Sequence, residues 1–164
     1  MKLKYILFAV VALLNCGCYS FKGISISPDT KTFAINPFLL GTSNTDQTTA
    51  LKMQENLKLK ILQTTRLSYG NQNPDIDFTG NITNFQQISV APDQNNQIRL
   101  MRFEMTVSVQ FKNNKNEKDV WEQQFTRFVN FDATQNFENL KDGLIKTVSD
   151  QIVDDIFNKA FANW

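Results

Sequence analysis

Residues 101–111 read Met-Arg-Phe-Glu-Met-Thr-Val-Ser-Val-Gln-Phe. Met101, Phe103, Met105, Val107, Val109 and Phe111 alternate with Arg102, Glu104, Thr106, Ser108 and Gln110. Side chains of a strand alternate between its two faces, so this segment has one apolar and one polar face. Such alternation marks a half-buried antiparallel strand and commits the chain to a sheet covered on one side. Asn113-Asn114-Lys115-Asn116 then supplies a hairpin loop. Val120 to Phe131 returns as the partner strand, with Trp121, Phe125, Val129 and Phe131 in phase and Arg127 interrupting their face.

Upstream, a strand is expected from Asp75 to about Ala91, with Ile76, Phe78, Gly80 and Ile82 on one face. Phe85 falls out of phase, which predicts a bulge near Asn84. Gly70-Asn71-Gln72-Asn73-Pro74 is a loop, and Thr65 to Tyr69 suits a short strand. Ala50, Met53, Leu57 and Ile61 recur at spacings of three and four and predict a helix from about Asp46 to Leu62. Its capping residues lie in Thr42-Ser43-Asn44-Thr45-Asp46. Lys31 to Leu40 reads as extended, with Phe33 and Ile35 on one side and Pro37 limiting it to an edge strand or a strand end.

A second helix is expected from about Leu140 to Ala162. Leu144, Ile145, Val148, Ile152, Ile156 and Ala160 form its stripe. Phe157 and Phe161 lie off that stripe, which predicts contact on a second side. The expected fold class is α+β in the order β-α-β-β-β-α: one mostly antiparallel sheet with two helices on one face.

The first residues carry a different signal. Lys2 and Lys4 precede the apolar run Tyr5 to Leu14, and Asn15-Cys16-Gly17-Cys18 follows. A basic start, a short apolar run and a cysteine at the cut describe a lipoprotein signal peptide over residues 1–15. The run is too short for a membrane-spanning helix, which needs about 20 residues. The processing enzyme favours a small residue before the modified cysteine and an aliphatic one three back. Cys16 has Leu13 three back but Asn15 before it; Cys18 has Gly17 before it but Asn15 three back. The apolar run points to Cys16 as the lipid attachment site. Acyl chains there would tether residues 16–30 and a single domain over residues 31–164 to a membrane.

Composition narrows the function by exclusion. The chain of 164 residues contains no histidine, which removes the commonest general base and metal ligand. With Cys16 and Cys18 beside the lipid, neither a structural disulfide nor a thiolate metal site is expected, and no cofactor is implied. After the signal is removed, about 149 residues remain, near neutrality at about −1. That balance gives no reason to expect nucleic acid as a partner. Asp75 and Asp77 share one side of a strand start, the arrangement of a carboxylate pair, although such residues are usually solvated turn residues. Asp154 and Asp155 point in different directions from a helix and do not converge on a metal. An enzyme is therefore not expected.

Several segments carry a family resemblance. They are Cys16-Gly17-Cys18-Tyr19-Ser20-Phe21, Asp77-Phe78-Thr79-Gly80-Asn81-Ile82, Phe125-Thr126-Arg127-Phe128 with Asp132 and Gln135-Asn136, and the stretch Asp155 to Trp164. In this order they resemble a branch of the LptE lipoproteins, which help assemble lipopolysaccharide in the outer membrane. The resemblance implies an outer-membrane lipoprotein, anchored on the periplasmic side, that plugs a large β-barrel partner and contacts lipopolysaccharide. Under it, Arg99, Arg102 and Arg127 are candidates to meet lipid phosphates, since guanidinium pairs bidentately with phosphate. Cross-strand ion pairs, such as Arg102 with a neighbouring carboxylate, are the plainer reading of these arginines. A periplasmic lipoprotein that binds a ligand without a barrel partner is the alternative from another class.

Overall fold

The computed structural model describes residues 26–70, 72–90 and 100–162. The signal segment, Cys16, Cys18, the Tyr19-Ser20-Phe21 motif, Arg99 and Trp164 lie outside the described residues. The elements run β1 (Thr32–Ile35), β2 (Leu39–Leu40), α1 (Gln47–Thr64), β3 (Ser68–Tyr69), β4 (Ile76–Ser89), β5 (Leu100–Asn113), β6 (Val120–Asp132) and α2 (Phe137–Phe161). The fold is α+β; β3 is the short strand expected over Thr65 to Tyr69, and the two-residue β2 is an addition.

The long strands pair as their alternation requires. β5 is antiparallel to β4 and to β6, with Val107 opposite Ile82 and Phe125. The register shifts between Ile82 and Asn84, so Thr83 is the extra residue of the expected bulge. Beyond it Phe85 is buried again and meets Phe103 edge-on at 4.8 Å.

The short strands pair in parallel. The sheet order is β3-β1-β4-β5-β6, with β2 also on β4. β1 joins both β3 and β4 in parallel because α1 carries the chain back between β1 and β3. The extended segment expected over residues 31–40 is two pieces, and β1 is internal to the sheet, so of the two readings of Pro37, edge strand or strand end, the strand end holds. Pro37 falls in the gap between the pieces, where it removes no ladder hydrogen bond. Asn36 N–H still reaches Phe78 O at 2.8 Å, and Gly41 N–H reaches Ile82 O at 2.9 Å.

Between them Phe38 turns inward over Gly80. A Cβ at position 80 would lie 2.5–2.6 Å from the Phe38 ring. Here a glycine is required by close approach, since any larger side chain would occupy the space of the ring.

Both helices cover the apolar face. Asp46 caps α1 by accepting Thr49 N–H at 2.8 Å, and Ala50, Met53, Leu57 and Ile61 are fully buried. α2 begins earlier than its stripe suggested. Asn136 caps it by accepting Glu138 N–H at 2.9 Å, and Phe137 packs near Phe103 and Phe131. Phe157 and Phe161 are buried, as the second contact side required. Phe161 reaches Phe78, while Lys60 of α1 stands over the Phe157 ring at 5.7 Å. α2 thus packs against both the sheet and α1, side by side with α1 on the same face. Their outer seam is polar: Lys52 pairs with Asp142, Asn56 with Asp150 and Lys60 with Asp154.

Candidate functional site

The second face of the long sheet carries the polar half of each alternation. Arg102, Glu104, Thr106, Ser108 and Gln110 of β5 stand opposite Asn130, Phe128, Thr126, Gln124 and Glu122 of β6. Both helices pack on the other face, so this second face carries no helix; its residues are exposed or half-buried except Thr106, which is buried. Cross-strand hydrogen bonds organise it. Glu104 Oε1 accepts from Asn84 Nδ2 and Gln86 Nε2, each at 3.1 Å. The Thr106 and Thr126 hydroxyls lie 2.9 Å apart, and Ser108 donates to Glu122 at 3.2 Å. The bulge at Thr83 supports this arrangement, because it restores Asn84 and Gln86 to the outer face while Phe85 turns in.

One end of this face combines charge with apolar surface. Arg102 Nε donates to Asn130 Oδ1 at 3.1 Å, and the guanidinium carbon stands 3.8 Å from the Phe128 ring centre. Phe128 is 46% exposed, and Ile88 pairs with Arg102 from the β4 side. The stack holds a cation flat over an aromatic face. Chemically, this end can offer guanidinium donors to an anionic group and ring surface to an apolar one. Phe128 was missed as a site residue; its signal is an aromatic side chain on the polar phase of β6.

Of the arginine candidates, Arg102 and Arg127 are described, and they are not brought together. Arg127 lies on the opposite face of β6 from Phe128 and forks onto Asp155 of α2 through two bonds of 2.6 Å. Those bonds, then the charge of Asp155, raise the Arg127 pKa above its ordinary value. This is the plain ion pair weighed for the arginines, made with a helix rather than across strands.

Asp75 and Asp77 also have structural partners. Asp75 accepts Lys31 N–H at 2.8 Å and Thr32 N–H at 3.1 Å, and its own N–H donates to Thr32 Oγ1 at 3.0 Å. Lys115 adds an ion pair at 3.3 Å. The Lys31 N–H is the largest cause, ahead of the Thr32 N–H and Lys115, and together they hold the carboxyl at about 2. A carboxylate so stabilised is a poor proton acceptor near neutral pH. Asp77 accepts Asn114 Nδ2 at 2.7 Å. The two carboxylates close the loop end of the sheet. Among the described residues no group of three or more His, Cys, Asp or Glu could hold a metal.

Solved structures share this architecture. The minor lipoprotein from Acinetobacter baumannii superposes with a TM-score of 0.52 at 12% identity, covering 79% of this chain and 91% of that one. Rare lipoprotein B from Shewanella oneidensis gives 0.54 at 6% identity, covering 79% and 92%. The uncharacterized lipoprotein B from Nitrosomonas europaea gives 0.51 at 15% identity, covering 77% and 79%. At these identities the likeness shows the fold alone. No curated protein sequence matches the chain. The model of the family described as LptE, lipopolysaccharide-assembly, matches residues 30–160, from the turn before β1 to the last turn of α2. With most of its length inside that match, the chain belongs to the LptE lipopolysaccharide-assembly family.

Proposed function

We propose that this protein is an outer-membrane lipoprotein, anchored through Cys16 on the periplasmic side, that assists lipopolysaccharide assembly as the plug and partner of a β-barrel translocon. Family membership supports the lipopolysaccharide-assembly role. The observation that carries the barrel partner is the two-sided sheet. Its helix-covered face is a complete core, whereas its other face is a broad hydrogen-bonded polar surface. A surface of that kind suits the polar interior of a large outer-membrane barrel. Arg102 beside Phe128 is the contact we assign to lipopolysaccharide, the guanidinium toward phosphate and the ring toward an acyl chain. Arg127 is engaged with Asp155 and is the weaker candidate.

The test is purification of a tagged full chain in mild detergent from its native envelope. Co-purification of a large barrel protein in a fixed ratio is expected. Recovery of the chain without one overturns the plug reading.

A further inference from the structure

The loop end of the domain holds a cleft of about 480 Å³. Its floor is apolar and is made by Ile76 of β4, Phe111 of β5 and Phe161 of α2. Its rim is acidic. Asp29 and Asp119 line it, and Lys115 on the same rim is paired with Asp75 at 3.3 Å. Ile26, where the described chain begins, is a wall of this cleft. It is half-buried against the core, and its carbonyl accepts Arg66 Nη2 at 3.1 Å. The turn that follows is closed by Thr30 N–H to Ser27 O at 3.0 Å and leads into β1. Phe33 at the start of β1 is paired on both sides, to Tyr69 of β3 and Ile76 of β4. The chain upstream of Ile26 therefore sets out from the cleft and has no free edge to join at the start of β1.

We propose that the chain's own segment Tyr19 to Ser25 docks in this cleft, with Ile24 over the apolar floor and Lys22 against Asp119. The proposal goes beyond the assembly role and does not rest on it. Chain length and charge argue for this occupant. In an extended chain Lys22, Ile24 and Ile26 share one side, and Ile26 already faces the cleft. The four residues from Ile26 back to Lys22 reach about 13 Å, enough to cross from one wall to the rim. Lys22 is the single charge in the segment and is opposite in sign to Asp29 and Asp119. The carbonyl end of α2, whose Ala160 and Phe161 line the cleft, also favours a cation. Docking would leave Cys16 to Cys18, about 10 Å of chain, as the slack between the proposed anchor and the domain.

The experiment uses the full chain in detergent, in a Cys18→Ser background. Ile24→Cys and Ser25→Cys are each treated with a polar maleimide, and the labelled peptide is identified by mass spectrometry. Labelling at position 24 is expected to be about tenfold slower than at position 25. Ala160→Phe, which fills the cleft, should remove the difference. Lys22→Glu should also remove it, and adding Asp119→Lys should restore it. Thermal melting establishes that each variant is folded. Equal labelling at the two positions overturns the proposal, and so does protection that survives Ala160→Phe or Lys22→Glu. Protection that rises with protein concentration overturns it as well, because the segment would then come from a second copy. A protected thiol in Trp164→Cys, with position 24 freely labelled, would give the cleft to the other end of the sequence.

Discussion

Arg127 on β6 and Asp155 on α2 are joined by two hydrogen bonds of 2.6 Å, from Nε and Nη2 to the two carboxylate oxygens. This fork ties the outermost long strand to the helix above it. Its side chains are 48% and 26% exposed, so solvent screens it and its worth is small.

Replacing Arg127 or Asp155 with alanine is expected to cost about 0.5–1 kcal/mol of stability, with a coupling of similar size in a double-mutant cycle. Chemical denaturation of the four proteins measures it. Additive losses would mean the fork contributes nothing as a pair. Lipopolysaccharide binding by Arg127→Ala should stay close to that of the parent chain.

Arg102 is expected to behave in the opposite way. Its guanidinium lies over an exposed ring on the polar face and meets only the neighbouring strand β6, which the backbone ladder already holds to β5. Arg102→Gln should weaken lipopolysaccharide binding about tenfold, equivalent to about 1.4 kcal/mol, while the melting temperature stays close to that of the parent. Unchanged binding would remove this residue from the contact surface.

Gly80→Ala should destabilise the domain by about 1–3 kcal/mol through overpacking, because the new Cβ meets the Phe38 ring. Phe38→Leu in the same chain should recover part of the loss. A thermal shift series over the parent, both single variants and the pair tests this; an unchanged melting temperature in Gly80→Ala would show that Phe38 is free to move.

Asp75 makes stability depend on acid. Its folded pKa is about 2, below the ordinary 3.8, because its ionised form accepts backbone N–H groups at the start of β1. A depressed carboxylate pKa contributes stability above the unfolded value and loses it as pH falls through the folded one. The contribution, on the order of 2 kcal/mol, should therefore be complete above about pH 5 and fade between about pH 4 and 2. Asp75→Asn should lack that part of the acid dependence in denaturation curves taken across this range. An identical pH profile in the variant would show that the carboxylate is not what holds β1.

The sequence by itself determined the elements that depend on local periodicity. The alternation in Met101–Phe111 specified β5 and both of its faces, and the phase break at Phe85 specified a bulge near Asn84, which the pairing places at Thr83. The spacing of Ala50, Met53, Leu57 and Ile61 specified the buried side of α1. These patterns are legible because each residue's face follows from its own position along the chain. The start of α2 was legible less far. The stripe begins at Leu140, whereas the helix begins at its Asn136 cap, whose role depends on backbone geometry.

Only the tertiary structure decided how separate segments meet. That β1 is internal and parallel depends on the return path of α1, which no local pattern encodes. The candidate site divided for the same reason. Alternation set Arg102 on the polar face and Arg127 on the apolar one without giving their partners; one stacks on Phe128 on the open face while the other is claimed by Asp155 twenty-eight residues away. A side chain's face is fixed by strand periodicity, but its partner is fixed by packing between elements. That packing gave Arg127 to Asp155 on the helix-covered face and set Arg102 over Phe128 on the open one.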